Sequence, residues 1–157
     1  MLAASSSRGL AYLELPHASG RGFGGFLRRI DAHSTEGWSP NRAAALQVCE
    51  YLEGKRRDFD LNLDLRGTEF QLSVWDELCR IPFGTTLSYQ EVARAIGRPA
   101  AVRAVGTANG ANPLPLVVPC HRVVATGGKL GGYGGGLDLK RRLLAMERAE
   151  PGAGSLL

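Results

Sequence analysis

The feature that most constrains this chain is a pair of helix-start signals, Thr68-x-x-Gln71 and Ser88-x-x-Glu91. In each, the hydroxyl accepts from the backbone N–H three residues on, and the Gln or Glu side chain reaches back, so two orphan donors are satisfied together. Phe70, Val74, Trp75 and Leu78 give the first helix one apolar face, and Ile81-Pro82-Phe83-Gly84 reads as the turn that ends it. The second helix, Ser88 to Ile96, closes at Gly97, and after Pro99 a third is predicted from about Ala100 to Asn109. Short helix, glycine turn and short helix make a helix-turn-helix. The third helix is nearly without bulk: Ala100, Ala101, Ala104, Gly106 and Ala108 surround Arg103, its single long cation. Packing against another helix would account for the small residues. It would not account for a lone guanidinium among them, since such a group is costly to bury unpaired.

Signals before this block are weaker. Ala11 to Leu15 alternates like a strand, and the glycine-rich stretch Gly20 to Gly25 interrupts whatever follows. Ser39-Pro40 reads as an N-cap with proline at the first helical position, and the helix continues through Ala43 to Glu53 until Gly54. Leu61, Leu63 and Leu65 alternate with Asn62 and Asp64, which predicts a strand or extended linker. The expected organisation is α+β: a small N-terminal α/β domain over residues 1–65, a helical domain over 66–150 and a tail at 151–157.

Past the third helix, Asn112-Pro113-Leu114-Pro115 is a rigid loop. Leu116-Val117-Val118 is predicted to be buried and extended, delivering Pro119-Cys120-His121-Arg122 into the interior, and Val123-Val124 continues the extended run. A glycine-rich loop from Gly127 to Gly136 then precedes a last helix, about Asp138 to Arg148.

Charge and cysteine usage narrow the class. Residues 1–64 carry eight basic and eight acidic side chains, whereas 65–157 carry eleven and seven, so the net charge of +4 arises entirely in the second part. That favours a polyanion partner there, although an accidental basic surface fits charge alone equally well. The three cysteines, Cys49, Cys79 and Cys120, form no C-x-x-C pair, which argues against a disulfide framework or zinc ribbon, and His17, His33 and Cys49 are too scattered to hold a metal. No signal-peptide or membrane-spanning run is present, so a reducing cytoplasm is expected.

Cys49 and Cys79 sit in helical contexts and read as structural. Cys120 differs by its company. A thiol is only a few per cent thiolate near pH 7 and needs a base or a positive field to react. His121 supplies a base. Because neighbours on an extended segment point to opposite sides, contact through a bridging water is expected rather than direct contact. On the last helix Leu139, Leu143 and Glu147 share a face by their i, i+4, i+8 spacing, placing a carboxylate on a core stripe, where it needs a partner such as an imidazole. A Cys-His-Glu relay follows, with the acid fixing the histidine tautomer.

Pro119-Cys120-His121-Arg122-Val123, with Ser88-Tyr89-Gln90, Arg103-Ala104-Val105-Gly106, Asn112-Pro113-Leu114-Pro115, Gly132-Tyr133 and Leu143-Leu144-Ala145-Met146-Glu147, resembles the methylated-DNA protein-cysteine methyltransferase family. The resemblance runs in register over about residues 67 to 148 and is weak before residue 60. It implies a ribonuclease H-like N-terminal domain followed by a winged helix-turn-helix domain. It further implies that Cys120 accepts a methyl or other alkyl group from O6-alkylguanine, and from O4-alkylthymine, in double-stranded DNA, once per molecule and without metal or organic cofactor. In that scheme His121 is the base, Glu147 orients it, Asn112 braces the turn and Tyr89 donates a proton to the departing guanine. Arg103 enters the base stack, while Ala101, Ala104 and Gly106 let their helix lie in the minor groove. Tyr133, Gly134, Pro115 and Val123 would shape the pocket, flipping being required because a target atom inside a duplex cannot reach a buried thiol. Several relatives carry a serine after the loop tyrosine. Gly134-Gly135-Gly136 stands here instead, which leaves backbone N–H groups for that contact and predicts room for bulkier alkyl groups. The implied protein is a monomer, able to cluster along DNA, in a bacterial cytoplasm and on the nucleoid when bound.

Three rivals remain at this level. A non-enzymatic damaged-DNA binding protein of the alkyltransferase-like kind would lack the acceptor cysteine. A helix-turn-helix regulator would not need Cys120, His121 and Glu147 together and would read a major groove with longer side chains. A cysteine hydrolase would turn over repeatedly.

Overall fold

The alternating segment near the N-terminus is half of a hairpin. In the computed structural model, which describes residues 1–16 and 22–148, β1 (Leu2–Ser6) pairs antiparallel with β2 (Gly9–Glu14), with a register shift between Ala4 and Ser5. His17, the start of the glycine-rich stretch and the expected 151–157 tail lie outside the described residues. Leu10, Leu13 and Leu15 face inward and are buried. Over Leu61 to Leu65, predicted as a strand or extended linker, Leu63 forms an isolated bridge, parallel to Leu10. Asp64, next along, turns its carboxylate to Ser6, Arg8 and Arg66.

The glycine-rich stretch hides a helix, α1 (Gly22–Arg29), where sequence signals predict only interruption. Glycine is a poor helix former, so the helix depends on packing. Phe23 and Phe26 lie with ring centroids 5.3 and 4.8 Å from that of Tyr12. Ser39 does not cap the next long helix: Ser39–Asn41 is a separate 3-10 turn, and α2 (Arg42–Leu52) starts after it. Ala44, Val48 and Tyr51 form its buried face.

Both capping boxes form as predicted. Thr68 caps α3 (Glu69–Cys79) and Ser88 caps α4 (Tyr89–Ala95), each with the reciprocal side-chain bond present, an arrangement worth about 1 kcal/mol per cap. The third helix, α5 (Val102–Gly110), begins two residues later than predicted, after a turn in which Ala101 N–H donates to Arg98 O at 2.9 Å. Trp75 Nε1 donates to Ala108 O at 2.8 Å and so fixes α3 against α5. Val105, Ala108 and Asn109 face the core, leaving Arg103, Ala104 and Thr107 exposed.

The predicted extended run at Leu116 to Val118 is instead a tight turn. Leu116 has φ of +75°, Pro115 and Val118 bridge, and Val118 N–H donates to Leu114 O at 2.8 Å. Asn112 closes the loop from inside: Nδ2 donates to Val118 O at 2.8 Å, and Oδ1 accepts from Leu114 N–H at 2.9 Å. Cys120–Arg122 is likewise a 3-10 turn, so its residues do not alternate across a strand. β3 (Leu87–Ser88) pairs parallel with β4 (Val123–Val124), and α6 (Leu137–Arg148) follows the glycine-rich loop.

One apolar cluster joins Leu13 and Tyr51 to Trp75, Val118 and Leu143, so the core continues across residue 65. Leu13 N–H also donates to Pro113 O at 2.8 Å, tying the hairpin to the loop before Cys120. Among the described residues no helix is long and apolar enough to cross a membrane.

Candidate active site

Cys120 lies 5% exposed at a cleft of about 660 Å³. Tyr89, Gly106, Asn112, Pro115, Tyr133 and Gly134 line it from one side, and Tyr12, Phe26 and Arg29 from the hairpin and α1. Val123, expected in the pocket wall, is instead fully buried in β4 and does not line the cleft. Arg103 and Ala104 stand exposed on α5, one turn before the Gly106 and Thr107 that reach the cleft, and Ala101 precedes the helix half-buried. Cys49 and Cys79, read from sequence as structural thiols, are exposed on α2 and α3 and fill no core position.

Burial pushes the Cys120 thiol up, as loss of water penalises the thiolate. A side-chain hydrogen bond from Asn112, the charge of Lys140 and the backbone N–H groups of Cys120 and His121 work against that rise. His121 is wholly buried, and burial lowers its basicity despite Glu147 beside it, which favours the neutral imidazole. Its Nε2 lies 2.9 Å from Glu147 Oε1 and 3.1 Å from Tyr51 Oη, while Nδ1 has no hydrogen-bond partner among the described residues.

Glu147 does meet an imidazole, as its place on the core stripe predicts, but it meets more besides. Arg122 Nε donates to both carboxylate oxygens, at 3.1 and 3.0 Å, and Nη2 donates to Oε1 at 2.9 Å. Arg122 Nη1 goes to Ile81 O at 2.7 Å. Gly84 N–H donates to Oε2 at 3.1 Å; its φ of +76°, and the Glu147 carbonyl oxygen 3.0 Å from where a Cβ would sit, explain the glycine that ends this turn. Burial works to raise the carboxyl's pKa, yet hydrogen bonds from His121 and Arg122 outweigh it and hold the group at about 2.

Sequence reasoning missed three members of this site. Lys140 is fully buried on α6, donating to Val123 O at 2.6 Å and Gly132 O at 3.2 Å, and burial brings it down to about 8 against the opposing pull of Cys120. A signal existed: Lys140 shares the face of Leu143, Leu144 and Glu147 by helical spacing. Arg122 was visible only as part of a motif. Tyr51, at i+7 from Ala44, reads as plain core.

Tyr89 opens α4 and packs on Gly131, whose φ of +66° leaves a would-be Cβ 3.1 Å from Tyr89 Oη. Burial raises the Tyr89 pKa and the nearby Cys120 charge adds to it, so the hydroxyl remains a donor. Tyr133 is raised by the same causes, and its buried Oη has no hydrogen-bond partner among the described residues.

Fold and site together define a class: short packed helices over a buried cysteine that is followed in the chain by an imidazole paired with a carboxylate. The family profile described as "6-O-methylguanine DNA methyltransferase, DNA binding domain" matches residues 69–149. A methylated-DNA–protein-cysteine methyltransferase of Mycolicibacterium paratuberculosis is 53% identical over 129 residues, 78% of either chain. The crystal structure of Mycobacterium tuberculosis OGT in complex with DNA superposes with a TM-score of 0.81 at 43% identity, covering 93% of this chain and 84% of that one. The Mycobacterium tuberculosis O6-methylguanine methyltransferase crystal structure gives 0.75 at 40%, covering 97% and 94%. The chain belongs to the methylated-DNA–protein-cysteine methyltransferase family.

Proposed function

We propose that this protein repairs double-stranded DNA by taking a methyl or other alkyl group from O6-alkylguanine, and from O4-alkylthymine, onto Cys120, once per molecule. The observation that carries the reading is His121 Nε2 set 2.9 Å from Glu147 Oε1, next in the chain to a buried thiol at a cleft. Through a water, His121 Nδ1 takes the thiol proton. Asn112, Lys140 and the local N–H groups stabilise the thiolate as it forms. Sγ then attacks the alkyl carbon, the bond from that carbon to O6 breaks, and Tyr89 donates a proton toward guanine N3 as the base leaves. The product is a thioether, which offers water no carbonyl to attack, so the protein is consumed.

In this reading α4 and α5 are the helix-turn-helix of a winged domain over residues 66–150, with the β3–β4 pair beside it. The bare face of α5 enters the minor groove, Arg103 fills the place of the flipped nucleotide, and Ala101 and Ala104 allow close approach. Tyr133, Gly134 and Pro115 shape the base pocket, and the glycines after Tyr133 admit bulkier alkyl groups. Residues 1–65 form an abbreviated ribonuclease H-like domain that braces the cleft. The protein acts as a monomer, with clustering along DNA open to it, on the nucleoid of a bacterial cytoplasm.

Incubation with excess duplex DNA bearing radiolabelled O6-methylguanine, followed by peptide mass mapping, tests the reading. One equivalent of label on Cys120 and no further turnover is expected. Tight binding without label would make the protein a damage sensor of the alkyltransferase-like kind, and sustained turnover would make it a hydrolase.

A further inference from the structure

Tyr51 lies before residue 65 in sequence, yet its hydroxyl sits within the imidazole–carboxylate pair. Oη donates to Glu147 Oε1 at 2.5 Å and is 3.1 Å from His121 Nε2. The ring is fully buried, with centroids 5.3 Å from that of Phe59 and 6.3 Å from that of Phe83. Phenylalanine would fill this space as well, so packing does not explain the oxygen. A buried hydroxyl needs partners, and both of its partners are relay groups.

Counting hydrogens fixes the direction of each bond. A phenol has one hydrogen to give. Glu147, ionised by its Arg122 contacts, can only accept, and the shorter of the two Tyr51 contacts runs to it. What Tyr51 offers His121 is therefore a lone pair, so Nε2 must carry the imidazole hydrogen, and a neutral ring protonated there has a bare Nδ1. We propose that Tyr51 is a positioning residue for alkyl transfer: with Glu147 it holds His121 in the Nε2–H tautomer, leaving Nδ1 to take the thiol proton. The inference rests on the alkyl-transfer reading above and adds to it a residue from the N-terminal region.

The groups facing His121 are Tyr51 from α2, Glu147 and Lys140 from α6, and Arg122 from its own turn. Tyr51 is the uncharged member of this set, so Tyr51→Phe removes one oxygen and leaves every buried charge in place. Without its donated hydrogen, Glu147 Oε1 serves His121 more fully and stabilises the imidazolium. A stronger donor at position 51 does the reverse.

The test uses the full chain as wild type, as Tyr51→Phe and with 3-fluorotyrosine at position 51, whose phenol is the more acidic. Single-turnover transfer from duplex DNA bearing O6-methylguanine is followed across pH, and the His121 ring nitrogens are read by 15N NMR without DNA. Expected are an Nε2–H tautomer in the wild type and, for Tyr51→Phe, unchanged duplex affinity with transfer roughly tenfold slower. The acid limb of the rate profile moves to higher pH in Tyr51→Phe and to lower pH in the fluorinated chain. An Nδ1–H tautomer in the wild type, or limbs that stay fixed or move the other way, overturns the proposal. Should Tyr51→Phe not fold, the fluorinated chain keeps its hydroxyl and still decides. A wild type that transfers no label defeats the repair reading instead, and the NMR result stands apart from activity.

Discussion

The helices α3 and α4 begin with bonds made inside four residues, at Thr68 and Ser88, whereas α1 begins at a glycine and holds its place through Phe23 and Phe26 against Tyr12. Two helices of residues 66–148 are thus started by local satisfaction, and the groups proposed to react, Tyr89 on α4 among them, all stand within this region. Residues 1–65 are organised by what they lean on: the hairpin holds the Pro113 loop, and α2 presses Tyr51 into the relay. One region carries the groups proposed to react, and the other lines the cleft and, in the proposal above, orients His121. A stretch with little local signal can still matter to a site, provided it contributes through a buried contact.

Substitutions can break or sharpen this contrast. Cys120→Ser should abolish transfer of label while leaving duplex affinity intact, whereas Cys49→Ser and Cys79→Ser, exposed on their helices, should each retain one equivalent per molecule; scintillation counting after gel filtration reads all three. Glu147→Gln should slow transfer about a hundredfold and lower unfolding stability by about 3 kcal/mol, because Arg122 is left buried without its counter-charge. The same carboxylate sets an acid limit. Its folded pKa of about 2 lies below the ordinary 4.5, so its stabilisation is complete above 4.5 and is lost as pH falls toward 2. Urea melts of the wild type and Glu147→Gln should therefore converge over that window, and a constant gap would deny the coupling. Arg103→Ala should slow repair in duplex DNA about tenfold or more yet leave reaction with free O6-benzylguanine unchanged; equal losses on both substrates would remove its flipping role. Smallest is Asp64→Asn in the N-terminal region, where Arg8 and Arg66 are partly solvated. It should cost about 1 kcal/mol in chemical denaturation and leave the transfer rate alone, and a slower rate would show that the Asp64 cluster also bears on the site.

Much of the site was legible in sequence for physical reasons. Glu147 on the stripe of Leu139 and Leu143 demanded a partner, and His121 is one. Lys140 stood on that same face and carried the same signal. Tyr51 was not legible, because a tyrosine spaced with Ala44 and Val48 fits a core and only the fold shows where its oxygen points. The turn at Leu116 was hidden for a related reason. A positive φ on a leucine is imposed by Asn112 closing the loop around it, and nothing in the local Leu-Val-Val pattern encodes that.

That leucine has a consequence for how the cleft receives a ligand. A bulky residue in the left-handed region costs about 1 to 2 kcal/mol, and Leu116 holds it with its side chain 1% exposed and its loop stapled at both ends. The loop that sets Pro115 in the cleft wall is thus closed by its own bonds, with no nucleotide needed to make them: this end of the cleft is a mould, not a glove.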